Sequence, residues 1–150
     1  MKNHRYNTTV EWLGNSGSGT SGYAEYGRQY VISTAGKVDI SGSADPAFLG
    51  DPALWNPEEL FLSAISACHQ LWYLHLCSDA GVTVLKYTDN AEAVLSEKSG
   101  TFVSMALYPQ VTIKAGDDAA LAISLHELAS SKCYLANTLN LKVNCIPTIN

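Results

Sequence analysis

The stretch NPEELFLSAISACHQLWYLHLC, residues 56–77, constrains this chain most. Asn56 is a good N-cap, Pro57 suits the first helical position, and Glu59 stands where a capping-box carboxylate reaches back to the cap. Gly81 supplies a C-terminal stop. The pattern predicts one helix from Pro57 to about Ala80, roughly 35 Å long and able to span a small domain. Its apolar residues (Leu60, Phe61, Ala64, Ile65, Ala67, Leu71, Trp72, Leu74, Leu76) run nearly all the way round, so the helix is expected to be buried on most sides. As a membrane segment it falls short of the roughly 20 apolar residues a span needs, and it carries His69, Gln70 and His75.

Strands are expected on both sides of this helix. Residues 5–13 and 23–33 have strand composition, separated by the Gly/Ser-rich stretch GNSGSGTSG, and a short strand near Lys37–Ile40 follows. The segment SGSADPAFLGDPALW reads as a long connector or lid carrying scattered apolar residues. After Gly81, VTVLKYTDNAEAVLSE and TFVSMALYPQVTIKA flank a KSG turn, the second alternating as a half-buried strand with Pro109 marking an edge or bulge. A second helix starts at Asp117/Asp118 and runs through AALAISLHELASS to, or through, KCYLANTL. A last strand lies in NLKVNCIPTI. The expected class is α+β, an antiparallel sheet with two main helices in one domain over residues 1–150.

Composition narrows the partners. Nine Lys+Arg against 14 Asp+Glu leave a net charge of −5, which argues against nucleic acid or an anionic membrane surface. The N-terminus has no apolar core of the secretory type, so a cytoplasmic location is expected. Four cysteines, Cys68, Cys77, Cys133 and Cys145, lack the paired C-x-x-C spacing of a zinc knuckle and make no secreted disulfide framework. Reactive or merely buried thiols remain.

Cys68 lies three turns into the helix, where the dipole helps a thiolate little, so its reactivity requires a cation. The chain has only two arginines, Arg5 and Arg28, and Arg28 falls in the expected strand among aromatic residues. Glu58 is a candidate to orient it. Along a straight helix Glu58 and Cys68 are about 15 Å apart, so a shared small site calls for a two-fold dimer in which the glutamate comes from the other copy.

NPEELFLSAISAC, followed 65 residues after Cys68 by Cys133 in HELASSKCYLANTL, resembles the OsmC/Ohr family of osmotically inducible and organic hydroperoxide resistance proteins. The resemblance covers nearly the whole chain and implies an intertwined homodimer with sites at its interface. It further implies that Cys68 attacks a peroxide, Cys133 resolves the product, and Arg28 and Glu58 support Cys68. Phe61, Leu71 and Trp72 would form apolar substrate walls, organic hydroperoxides would be the substrates, and a dihydrolipoamide-like dithiol would be the external reductant, with no cofactor. Many family members have a proline directly after the second cysteine, where this chain has Tyr134.

Two other readings compete. A dimeric binding or redox-sensing module would keep the fold and an oxidisable Cys68 without turnover. A metal protein would use Cys68, His75 and His126, although core histidines more often serve packing, and no metal is expected. Cys77 and Cys145 are read as structural.

Overall fold

A computed structural model describes residues 2–150, which divide into two units, residues 2–60 and 61–150. The architecture is α+β: two long helices with sheets that are mainly antiparallel.

The first unit holds a three-stranded antiparallel sheet of β1 (Thr9–Trp12), β2 (Tyr30–Ser33) and β3 (Ile40–Gly42), in that order. The strands are shorter than their composition predicts. Residues 23–29 lie outside β2, so Arg28 stands in irregular chain and not in a strand. A Cβ at Gly42 would meet the Tyr30 ring at 2.2 Å, so any other residue there would have to displace the ring. The connector after β3 is ordered by polar contacts. Asp45 caps a 3-10 turn at Pro46–Phe48, the Ser43 hydroxyl accepts from the Asp51 N–H at 3.0 Å, and the Ser43 N–H donates to the Trp55 carbonyl at 2.9 Å. Of its large apolar side chains, Phe48, Leu49 and Trp55 are exposed and Leu54 is half-buried.

Helix α1 spans Pro57–Asp79 without interruption. The capping box forms as the sequence predicts: Asn56 Oδ1 accepts from the Glu59 N–H at 2.8 Å, and Glu59 Oε2 accepts from the Asn56 N–H at 3.2 Å. At the other end Gly81 takes φ +75°, and the Val82 N–H closes back on the Cys77 carbonyl at 2.9 Å. A residue with a side chain is strained in that left-handed conformation.

In the second unit, β4 (Val84–Asp89), β7 (Pro109–Ile113) and β9 (Thr148–Ile149) form one sheet in the order β4-β7-β9. β5 (Glu92–Ser96), β6 (Thr101–Leu107) and β8 (Asn144–Cys145) form another in the order β5-β6-β8. The segments read from sequence as two continuous strands are therefore four. They divide where Asp89 Oδ1 accepts from the Tyr108 N–H at 2.7 Å. Pro109 offers no N–H, and the chain leaves one sheet there and enters the next. The C-terminal segment divides at the same level, at Ile146–Pro147, after which β9 pairs parallel with β7 as β8 does with β6.

Helix α2 (Ala119–Lys132) begins at Asp118, whose carboxylate accepts from the Ala120 and Leu121 N–H groups at 2.9 and 3.0 Å. It ends at Cys133, followed by a short 3-10 turn at Ala136–Thr138. Its buried residues, Ala122, Leu125, His126 and Ala129, recur at helical spacing. With Tyr73 and Cys77 of α1, Val82, and Val111 of β7, the apolar members of that set form the core.

Helix α1 is less buried than its composition predicts. One stripe, Ile65, His69, Tyr73 and Cys77, is fully enclosed at successive four-residue steps. Leu71 is 67% exposed in the protomer. Among the described residues no helix is long and apolar enough to cross a membrane.

Candidate active site

The second unit brings Cys68 of α1 and Cys133 at the end of α2 together. Cys133 is buried and Cys68 partly so, and both are free thiols. Burial pushes the Cys133 thiol up, and its interaction with the Cys68 sulfur pushes it further, to about 11. The Ala136 N–H donates to the Cys133 sulfur at 3.5 Å, which acts in the opposite direction. Cys133 also sits at the carboxyl end of a helix, where the backbone dipole disfavours an anion. It is thus a protonated thiol at neutral pH.

A pocket of about 500 Å³ opens beside Cys133, lined also by Ile65, His69, Ser130 and Asn137. Of the residues read as substrate walls, Phe61 stacks on Phe102 with ring centroids 5.6 Å apart and lines a second pocket of about 300 Å³. Trp72 meets the Tyr134 ring edge-on at 5.6 Å and receives the Lys132 ammonium at 5.7 Å, which places it against the segment that carries Cys133. Leu71 faces solvent. The three do not converge on one pocket of the protomer, because ten and eleven residues of helix separate Phe61 from the other two.

In the first unit, the Arg28 guanidinium donates to the carbonyls of Tyr26 and Tyr23, the latter at 2.5 Å. It lies over both tyrosine rings, with centroids at 4.0 and 4.6 Å. Among the described residues it makes no ion pair with Glu58 or any other carboxylate. Glu58 is in the first turn of α1, close enough to Tyr30 that its charge, after burial, raises the phenol's pKa.

The histidines group differently from the Cys68, His75 and His126 set weighed from sequence. His75 turns outward, with its side chain 60% exposed and 3.5 Å from Asp79. His126 instead meets His69 and Cys145 in the core of the second unit. Nε2 of His69 and Nδ1 of His126 are 3.0 Å apart, and the Cys145 sulfur lies 3.5 and 3.9 Å from them. Burial lowers the pKa of His69, and burial together with His69 lowers that of His126 to about 3, so both rings are neutral. Burial and then the Asp89 charge push the Cys145 thiol up to about 12. Sequence reasoning missed this group because its members come from α1, α2 and β8, separated by 57 and 19 residues. No local spacing signals it.

The fold and the thiol pair define a class of α+β proteins in which each of two helices contributes a cysteine. Within it, the chain belongs to the OsmC-like protein family, whose family model matches residues 50–146. An OsmC-like protein of unknown function from Vibrio cholerae is 26% identical, with a TM-score of 0.83 over 98% of this chain and 99% of that one. An organic hydroperoxide resistance protein from Legionella pneumophila is 18% identical, with a TM-score of 0.64 over 99% of each chain. The organic hydroperoxide resistance protein OhrB of Bacillus subtilis is 19% identical, with a TM-score of 0.60 over 95% and 98%. These last two show a shared fold. No curated protein matches the chain.

Proposed function

We propose that this protein is a thiol-dependent peroxidase that reduces organic hydroperoxides to alcohols. The observation that carries the reading is the pairing of Cys68 with Cys133, close enough for the one sulfur to raise the pKa of the other. The Cys68 thiolate attacks the terminal peroxide oxygen and the O–O bond breaks. The alkoxide takes a proton and leaves as alcohol, and Cys68 is left as sulfenic acid. Cys133 loses its proton and attacks the Cys68 sulfur. The S–O bond breaks, water leaves, and a disulfide joins the two residues. An external dithiol, dihydrolipoamide-like, restores both thiols by exchange.

Arg28 and Glu58 support Cys68 in this reading, with Glu58 supplied by the other copy of an intertwined homodimer. Arg28 gives up its two carbonyl partners in order to bind peroxide. The exposed apolar face of α1, Leu71 included, is covered by that partner. Phe61, Leu71 and Trp72 then favour bulky, apolar peroxides, and the protein works in the cytoplasm.

The test is a thiol count on reduced protein before and after stoichiometric cumene hydroperoxide, with Cys68→Ser and Cys133→Ser alongside. Two of the four thiols are expected to disappear. None should disappear in Cys68→Ser. Four surviving thiols in the unaltered protein would make Cys68 an inert core residue and leave a binding module in place of an enzyme.

A further inference from the structure

The core of the second unit holds a side-chain group that the peroxidase chemistry does not use. His69, His126 and Cys145 reach it from three separate elements, and their donor atoms all lie within 4.8 Å of one another. Both histidines are buried, at 1% and 2% exposure. Tyr73 lies flat against the His126 ring at 3.7 Å between centroids. The rings of His69 and His126 are nearly parallel, 7° apart, with their facing nitrogens 3.0 Å from each other and the Cys145 sulfur beside both.

We propose that His69 Nε2, His126 Nδ1 and Cys145 Sγ form a transition-metal site whose occupant is zinc(II), with a solvent molecule as the fourth ligand. The geometry fits the ion. With zinc–nitrogen bonds of about 2.05 Å and a zinc–sulfur bond of about 2.3 Å at tetrahedral angles, the nitrogens stand about 3.3 Å apart and the sulfur about 3.6 Å from each. The spacings in the protein, 3.0, 3.5 and 3.9 Å, differ from these by no more than about 0.4 Å. Two imidazoles and a thiol select a borderline-soft ion over calcium or magnesium, which take oxygen ligands.

The surroundings supply an outer-shell partner for His69, while Nε2 of His126 has none among the described residues. Ser130 Oγ lies 3.4 Å from Nδ1 of His69, and a hydrogen bond there leaves Nε2 free to face the ion. Ser130 is itself fixed by donating to the His126 carbonyl at 3.0 Å. Binding converts the Cys145 S–H to thiolate and releases one proton. The site then carries one net positive charge, and the Asp89 carboxylate acts on both Cys145 and His69 to offset it. Asp89 is anchored by the Ser66 hydroxyl at 2.5 Å and the Tyr108 N–H at 2.7 Å. His126 and Cys145, with Met105, line a pocket of about 830 Å³.

Neither Cys68 nor Cys133 belongs to the set, so the proposal stands or falls apart from the peroxidase reading. The experiment uses the full chain with Cys68→Ser and Cys133→Ser, which removes the one competing thiol pair. Reduced, chelator-stripped protein is titrated with cobalt(II), which reports tetrahedral thiolate ligation by visible d–d bands and a thiolate charge-transfer band. Both bands are expected to saturate at one equivalent per chain and to vanish when zinc(II) is added. They should survive a further Cys77→Ser change and be lost with Cys145→Ser. Absence of the charge-transfer band in the folded protein, or its persistence after Cys145→Ser, would mean that the three residues are only a hydrogen-bonded core cluster. Should Cys145→Ser not fold, the alkylation rate of Cys145, followed by mass spectrometry, decides instead. Zinc should slow it at least tenfold, and an unchanged rate overturns the proposal.

Discussion

If Cys133 resolves the sulfenic acid on Cys68, the rate of that step is set by how rarely Cys133 is ionised. With its pKa near 11, about one Cys133 in ten thousand is thiolate at pH 7, against about one in a hundred for an ordinary thiol at 9.0. The hundredfold deficit is partly offset, because a more basic thiolate is a better nucleophile. At a Brønsted coefficient of about 0.4–0.5, two pH units of basicity return almost a factor of ten. Disulfide closure should therefore run up to about tenfold slower at pH 7 than for an unperturbed pair, and accelerate close to tenfold per pH unit from about pH 6.5 to 9. Burial is the largest cause of the elevation and persists after Cys68 is oxidised, whereas the Cys68 contribution changes with that oxidation. The assay is a single turnover at saturating organic hydroperoxide, so that attack by Cys68 is complete before closure begins. Samples are quenched over time with a sulfenic-acid trap, and the trapped fraction is plotted against pH. A flat profile, or one that levels off below about pH 9, would refute the reasoning.

Two further outcomes bear on the scaffold. Asn56→Ala removes the side-chain half of the capping box at α1 and should cost about 1 kcal/mol in denaturant unfolding, with Asn56→Asp nearly neutral; an unchanged midpoint for the alanine variant would show that the cap contributes nothing. Tyr87 has a buried hydroxyl without a hydrogen-bond partner, so Tyr87→Phe should hold or raise stability by up to about 1–2 kcal/mol, and a loss of that size would reveal a partner for the hydroxyl.

Helix α1 was legible in the sequence to within a residue at each end because its signals are local. Asn56, Pro57, Glu59 and Gly81 act on backbone groups within one turn of themselves. The nearness of Cys133 to Cys68 was legible only through resemblance, since no periodicity links residues 65 apart. The division of the long strands was not foreseen, although Pro109 gave a hint. What fixes it is a hydrogen bond from Tyr108 to a carboxylate 19 residues earlier, which propensity does not encode. The burial of α1 was overestimated for a related reason: composition reports how apolar a helix is, not which faces its own chain covers. Cys145 was read as structural because it is unremarkable among its own neighbours, and its nearness to His69 and His126 shows only in three dimensions.

The shared interruption of the strands also constrains how this chain can vary in length. Two residues separate β4 from β5 and two separate β8 from β9, while one, Tyr108, separates β6 from β7. Side chains alternate with a period of two along a strand, so one residue gained or lost at any of these links turns every later side chain of that strand to the opposite face. Matching changes in the other two links would be needed to restore the pairing. A change in length is better placed at the tip of the β5–β6 turn, around Lys98 and Ser99, which lies outside both strands.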